Sequence, residues 1–234
     1  MLTHHSILSF ARHTLHCIAF DPDSVQEHDL FWLPHHAQLH AAGRKRKAEH
    51  LAGRIAAVHA LRDYGSKTVP AIGEQRQPLW PAGLSGSISH CATTALAVVS
   101  RQPVGVDIEA IFTPQMAEEL KGSIVDIEER ELLRSSALPF TLALTLAFSA
   151  KESLYKAFCG RVNAWPGFDS AKVIAINASR ISLRLTALFS PNIVDHVVNV
   201  EWQTYDECVI TLCLTPPTFQ ETGRRSPVLR DPGG

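Results

Sequence analysis

The spacing of apolar positions changes period several times along the chain. Leu51, Ile55, Val58 and Leu61 recur at helical intervals and Gly65 follows them, so the pattern predicts a helix from about Gln38 to Tyr64. The next stretch, "VPAIGEQRQPLWPAGLSG", is rich in Pro and Gly and predicts a long loop. After it come "SIS", "TALAVVS" and "VGVDIEAI", short β-type runs separated by turn residues, which suggest a meander. Leu144, Phe148, Tyr155 and Phe158 mark a second helix from about 140 to 160, broken by Gly160, Pro166 and Gly167. The runs "AKVIAI", "RISLRLTAL", "HVVNVEWQ" and "CVITLCL" then alternate or are continuously apolar, as strands do. Helix-then-strands thus occurs twice, with a joint near Arg101–Pro103. The order predicts an α+β fold of two similar halves, 1–102 and 103–215, packed together. The tail 216–234, rich in Pro, Gly and Arg with few large apolar residues, is expected to be mobile.

With 234 residues and 45% apolar content, the chain is long enough for a packed core, and the composition argues against global disorder. The formal net charge of -1 argues against a dedicated nucleic-acid protein, although "RKRK" at 44–47 is a local basic cluster. Five scattered cysteines, none in a C-x-x-C pair, disfavour a disulfide framework and a structural zinc site and suit a reducing cytoplasm. The N-terminal stretch does not read as a signal peptide. The most apolar segment, 137–148, is too short to span a bilayer and fits a buried helix.

Four clusters carry candidate chemistry. On the strand "GVDIEAI", Asp107 and Glu109 project to one face while Val106 and Ile108 project to the other. Adjacent carboxylates resist joint ionisation, and a hard cation such as magnesium relieves them; the ordinary alternative is a solvated strand face. In "FSAKESLYKAF", Glu152 and Lys156 share a helix face, with Glu152 beside the buried stripe that Phe148 marks. Here the alternative is a plain surface ion pair. His90 ends the run "GSISHC" after a Gly-rich loop, and Arg46, His50 and Arg54 form a stripe suited to phosphate or to solvent. His35, His36 and His40 have metal-like spacing without a matching carboxylate, and Glu128 and Glu129 read as capping or solvating a helix start.

Together these pieces resemble the Sfp-type 4'-phosphopantetheinyl transferases. That family carries a G-[VI]-D-[VI]-E strand and, some forty residues later, an x-K-E-[SA]-x-x-K helix; here they are "GVDIE" at 105–109 and "AKESLYK" at 150–156. The resemblance covers roughly residues 10 to 214 and implies a pseudo-dimer of two α+β halves with coenzyme A in the cleft between them. It implies transfer of the 4'-phosphopantetheine arm of coenzyme A to a serine of an apo carrier domain, releasing 3',5'-ADP. The resemblance further implies, as acceptors, aryl and peptidyl carrier domains of a catecholate siderophore synthetase. On the matched positions, Asp107, Glu109 and Glu152 would hold magnesium, for which manganese can substitute, and Lys156 would contact the diphosphate. Arg46, Arg54, His90 and, in a loop of uncertain register, Arg76 would take coenzyme A phosphates. Glu152 or a metal-bound water would be the base. The assignment requires the strand and helix to meet with the three carboxylates within a few ångströms of one point. Phe148 departs from the family's more common Trp, remains a large aromatic, and is expected to pack as well. Segments 111–130 and 137–144 are expected to form the carrier-docking rim. A monomer is expected, since each half already meets its counterpart within one chain. The expected location is the cytoplasm, with peripheral contact to the inner membrane through a synthetase complex as an option. Competing readings are a broad-range transferase, a magnesium-dependent diphosphate hydrolase, and a non-enzymatic coenzyme A or carrier-binding module.

Overall fold

A computed structural model of the chain describes residues 1–159 and 166–215. Gly160 and the tail 216–234 lie outside the described residues. The chain opens with an antiparallel hairpin, β1 (Thr3–Phe10) and β2 (His13–Phe20). Short 3-10 turns lead to helix α1 (Arg44–Arg62), which starts later than 38 because His36–Leu39 forms a separate 3-10 turn. Within the expected loop, β3 (Ala71–Ile72) and β4 (Pro78–Leu79) pair as a small hairpin. Then come β5 (Ser85–Cys91), β6 (Thr94–Ser100) and β7 (Val104–Ala110). Helices α2 (Pro114–Ile124), α3 (Ile127–Ser135) and α4 (Phe140–Phe158) follow. The chain closes with strands β8 (Ala171–Ile176), β9 (Arg180–Leu185), β10 (Val197–Tyr205) and β11 (Cys208–Leu214).

Two antiparallel sheets result, ordered β1-β2-β6-β5 and β7-β11-β10-β9-β8. Strand β7 therefore does not complete a meander with β5 and β6; it crosses over and pairs with β11, Asp107 opposite Thr211. The reason lies in its pattern. Val104, Val106 and Ile108 bury themselves with Leu15, Cys17, Leu96 and Val98 of the first sheet and Ile210 and Leu212 of the second, which is the core that joins the halves. The outer face of the first sheet is covered by the alanine-rich side of α1, and that of the second by α4. The architecture is two sheets flanked by helices, an α+β fold of two halves. Among the described residues no helix is long and apolar enough to cross a membrane.

Gly105 fixes how closely β7 and α4 approach. A Cβ at this position would overlap the Ser153 carbonyl oxygen and come within 2.5 Å of the Ala157 nitrogen, both backbone atoms that have no side-chain freedom to yield. Gly105→Ala is therefore expected to destabilise the chain by roughly 1–3 kcal/mol or more through overpacking. Urea unfolding measures this, and an unchanged midpoint would refute so close an approach.

Candidate functional site

The two halves meet along β5 and β7 through side chains. Ser87 Oγ accepts the Val106 N–H at 3.0 Å, and Ser89 Oγ accepts the Ile108 N–H at 3.2 Å. Because side chains alternate, the serines face β7 while Ile88 and His90 face α1. The buried serine hydroxyls are thus committed to backbone donors, and Ser89 has a proton left to give. It donates to Asp107 Oδ1 at 3.0 Å.

Asp107 is buried at this seam. Its Oδ2 accepts from Ser149 Oγ at 2.7 Å, and Lys156 Nζ donates to its Oδ1 at 2.7 Å. The lysine also donates to Ser89 Oγ and to the Val106 carbonyl, at 3.1 and 3.2 Å. Ser149, Glu152 and Lys156 lie on one face of α4, at i, i+3 and i+7, and Gly105 lets that face descend onto β7. Glu109 follows Asp107 on the same side of the strand and is half-buried, as is Glu152. Burial, then the repulsion of Asp107, raises the Glu109 carboxyl to about 7, with Glu152 adding to the rise and Lys156 opposing it. Burial likewise raises Glu152 above the ordinary glutamate range, reinforced by Asp107 and opposed by Lys156. The strand and helix named by the motifs meet, and their carboxylates sense one another. Lys156 occupies Asp107, however, and among the described residues the one trio of potential ligands with donor atoms all within 4.8 Å is a different one, His5, His16 and His59.

Beside this seam a cavity of about 450 Å³ runs along α1. Arg46, Glu49, His50, Arg54, Arg76 and His90 all contribute to its walls. The stripe of Arg46, His50 and Arg54 is not a solvated helix face, because His50 and Arg54 are buried. Arg54 gives its Nε–H to the Pro70 carbonyl at 2.7 Å and has no carboxylate paired with it among the described residues. Burial and Arg46 lower its pKa to about 10, which leaves it charged at neutral pH and the cavity floor electropositive. His50 is held down to about 3 by burial and Arg54, so it is neutral; its Nε2 lies 2.8 Å from that of His35. His35 is thereby a packing residue, and His36 bonds the Leu33 carbonyl.

Arg46 Nη1 reaches His90 Nε2 at 3.3 Å, and the other ring nitrogen faces Glu49 at 3.8 Å. Burial lowers the His90 pKa, Glu49 and Asp107 resist, and Arg46 and Lys156 add to the fall. His90 thus couples electrostatically to both the basic cavity and the carboxylate seam. Arg76 sits exposed on the β3–β4 turn with φ at 63°, at the cavity's edge.

Sequence reasoning missed Ser87, Ser89, Ser149 and Lys151. The alternation of "SGSIS" is the signal for the first two: small hydroxyls on one strand face. Lys151, the lysine directly before Glu152, points away from the seam. It forms a buried pair with Glu129 at 2.7 Å, so Glu129 caps α3 as expected but is not solvated. Phe148 packs between the rings of Phe112 and Phe168, at 5.7 and 5.3 Å between centroids.

An Asp107–Lys156 junction beside a basic cavity, shared between two α+β halves, is suited to holding phosphate groups. Residues 35–100 match the family model of the 4'-phosphopantetheinyl transferase N-terminal domain, and residues 103–213 match that of the 4'-phosphopantetheinyl transferase superfamily. The chain belongs to the 4'-phosphopantetheinyl transferase superfamily and is an enzyme of that class. Within it, the chain is 61% identical over 212 residues to enterobactin synthase component D of Salmonella typhimurium, covering 91% of this chain and 90% of that protein. It is 55% identical over 214 residues to enterobactin synthase component D of Escherichia coli K12, covering 91% and 98%. A more distant relative is the 4'-phosphopantetheinyl transferase PptT of Mycobacterium tuberculosis, 32% identical over 152 residues, covering 60% and 64%.

Proposed function

We propose that the chain transfers the 4'-phosphopantetheine group of coenzyme A to a serine of apo aryl and peptidyl carrier domains. Release of 3',5'-ADP accompanies the transfer, which activates a synthetase for an enterobactin-like siderophore. The observation that carries this reading is the placement of His90 in the wall of the basic cavity, 3.3 Å from Arg46, next on β5 to Ser89, which donates to Asp107 of the Asp107–Lys156 seam. A nucleotide phosphate end and a reacting diphosphate would then lie side by side.

Arg46, Arg54 and His90 take coenzyme A phosphates, with Arg76 at the rim. Arg54 is pre-aimed by backbone carbonyls, so little side-chain entropy is lost when an anion arrives. Asp107, Glu109 and Glu152 would hold magnesium. The residue types suit a hard cation, although the carboxylate oxygens do not all lie within 4.8 Å of one another and side-chain turns would be needed to bring them together: Asp107 is buried, Glu109 and Glu152 are half-buried, and both glutamate carboxyls are raised first by burial and further by the charge of Asp107, which a cation would offset. When bound, the ion supplies charge neutralisation and grip on the diphosphate. Lys156 donates to phosphoryl oxygens as negative charge develops on them. Glu152, directly or through a water, accepts the proton of the attacking serine hydroxyl. The serine oxygen bonds to the β-phosphorus while the bond to the leaving 3',5'-ADP oxygen breaks. The apolar Met116 on α2 and Ile127 at the start of α3 are exposed, which supports a docking rim there for the carrier domain. The single core shared by the two halves supports a monomer, and a cytoplasmic location follows from the substrates.

The test is incubation with coenzyme A, magnesium and separate apo carrier domains, read by mass gain. Gain on siderophore aryl and peptidyl carriers is expected; equal gain on unrelated carriers would favour a broad-range transferase. Release of 3',5'-ADP without a carrier serine would favour a hydrolase. Arg46→Ala is expected to raise the KM for coenzyme A about 10-fold or more, with a smaller change in kcat, as the loss of one charge-assisted phosphate contact does. An unchanged KM would remove Arg46 from the binding set.

A further inference from the structure

The three histidines His5, His16 and His59 belong to no part of the transfer chemistry. They sit at the far end of α1 from Arg46, thirteen residues or roughly 20 Å along the helix axis. His5 on β1 stands opposite Ile18, and His16 on β2 stands opposite Ile7, so the two are diagonal neighbours on one face of the hairpin. That face is the one α1 covers, and His59 comes down onto it from the helix's last turn. One potential donor atom from each ring lies within 4.8 Å of the others.

We propose that His5, His16 and His59 form a second metal site, for a borderline divalent ion such as zinc, that clamps the N-terminal hairpin to α1. His16 Nε2 lies 2.9 Å from Asp63 Oδ2 at the helix C-terminus. Donation to this carboxylate places the ring proton on Nε2 and leaves the Nδ1 lone pair turned inward, towards His5 Nε2 at 2.9 Å. A carboxylate that orients a ligating imidazole and increases its basicity is the usual outer partner of a metal-bound histidine. His5 then shifts to its Nδ1–H tautomer and offers Nε2, with no net proton taken up or lost. The ring of His59 stacks on His5 at 3.8 Å with 9° between planes, so a turn about its χ2 is needed to aim a lone pair at the same point. That torsion is soft and His59 is half-buried. Tetrahedral zinc with bonds of about 2.0–2.1 Å needs donor atoms roughly 3.3 Å apart, so the His5–His16 separation widens by only a few tenths of an ångström. Burial, and the neighbouring His16 and His4, hold His5 below the ordinary histidine range; burial, His5 and Arg62 do the same for His59; Asp63 opposes both shifts. Neutral rings are the form that ligates. An all-imidazole set selects zinc, copper or nickel, not magnesium, and three ligands leave a position for water.

The test uses the full chain, stripped with a chelator and titrated with cobalt(II) alone, then with zinc. The expected result is a saturable visible band of low-coordinate cobalt at one equivalent, displaced by zinc, with zinc also raising Tm. His5→Gln and His59→Gln, each at a half-buried position where folding is retained, should abolish the band and the Tm rise. Asp63→Asn should weaken binding about 10–100-fold. The double variant Asp107→Asn/Glu152→Gln should keep the band, since it alters only the carboxylate seam. Absence of saturable binding, survival of the band in both histidine variants, or its loss in the carboxylate double variant would each overturn the proposal.

Discussion

Asp107→Asn is expected to lower kcat/KM for phosphopantetheine transfer by about 10³-fold or more, the scale on which preorganised charge in a buried site acts. Asn keeps the shape and an acceptor for Ser89, and its amide can meet Ser149, whose hydroxyl also has Thr211 at 2.9 Å as a partner. The seam therefore stays closed and the fold is retained. The negative charge is what disappears. Lys156 loses its ion partner at 2.7 Å, and the carboxylate set proposed for magnesium loses its most buried member. The measurement is mass gain on an apo carrier domain at saturating coenzyme A, with urea unfolding of the same preparation. Undiminished transfer by a folded variant would refute the assignment. Loss of both activity and cooperative unfolding would instead mean that Asp107 acts by holding β5, β7 and α4 together, and Glu152→Gln then separates the roles. Glu152 is half-buried and stands outside the Ser89–Asp107–Ser149 bonds, so its amide should impair transfer while leaving the unfolding midpoint near the wild-type value.

What could be read from the residues, and what could not, follows the range of the forces involved. The α4 stripe and β8, β10 and β11 were legible because burial imposes periodicity on contiguous residues. The charged positions of "GVDIE" and "KESLYK" were legible because carboxylates and lysines beside apolar runs stand out. The first hairpin was not anticipated, for a local reason. Its two-residue turn, Ala11–Arg12, has φ of 47° and 63°, yet carries neither the Gly nor the Asn that normally marks such a turn. Its strand β1 is an edge strand with mostly exposed side chains, so no apolar alternation announces it. The crossover of β7 depends on residues more than a hundred positions away, since Val106 and Asp107 pair with Leu212 and Thr211. The direction of the α1 stripe is also non-local. Arg54 and His50 are buried because β3, β5 and the 3-10 turns close over them, which spacing by four does not reveal. For the same reason Lys151 and Glu152, adjacent in sequence, go to different places. A helix rotates by about 100° per residue, and that rotation sends one charge to the seam and the other to a different side of α4.

Lys151→Met is accordingly expected to act on stability and not on chemistry. The ammonium is 2% exposed and all three of its protons are used: Glu129 Oε1 at 2.7 Å, the Ile124 carbonyl at 2.9 Å and the Phe168 carbonyl at 3.1 Å. Glu129, also 2% exposed, accepts the N–H groups of Asp126 and Val173 at 2.9 and 2.8 Å. The pair thus ties the end of α2, the start of α3 and strand β8 to α4. Removing the lysine leaves a buried carboxylate whose nearest cation is Lys172 at 3.8 Å. Breaking one partner of such a pair costs about 3–5 kcal/mol, which for a domain of this size lowers Tm by roughly 6–20 °C. Replacing both partners, as in Lys151→Met/Glu129→Leu, removes the stranded charge, although the Asp126 and Val173 N–H groups then lose their acceptor. The double variant should therefore recover a large part of the loss, and the double-mutant cycle should give a coupling of more than 1 kcal/mol. Below the unfolding transition, kcat per folded molecule for Lys151→Met should remain close to that of the unsubstituted chain, because Lys151 faces away from Asp107 and Glu152. A fall in kcat comparable to that of Asp107→Asn, with Tm unchanged, would contradict the separation of the two faces of α4. A fall in Tm with kcat preserved would establish that the first lysine of the K-E-S motif supports the fold, while the second, Lys156, serves the site.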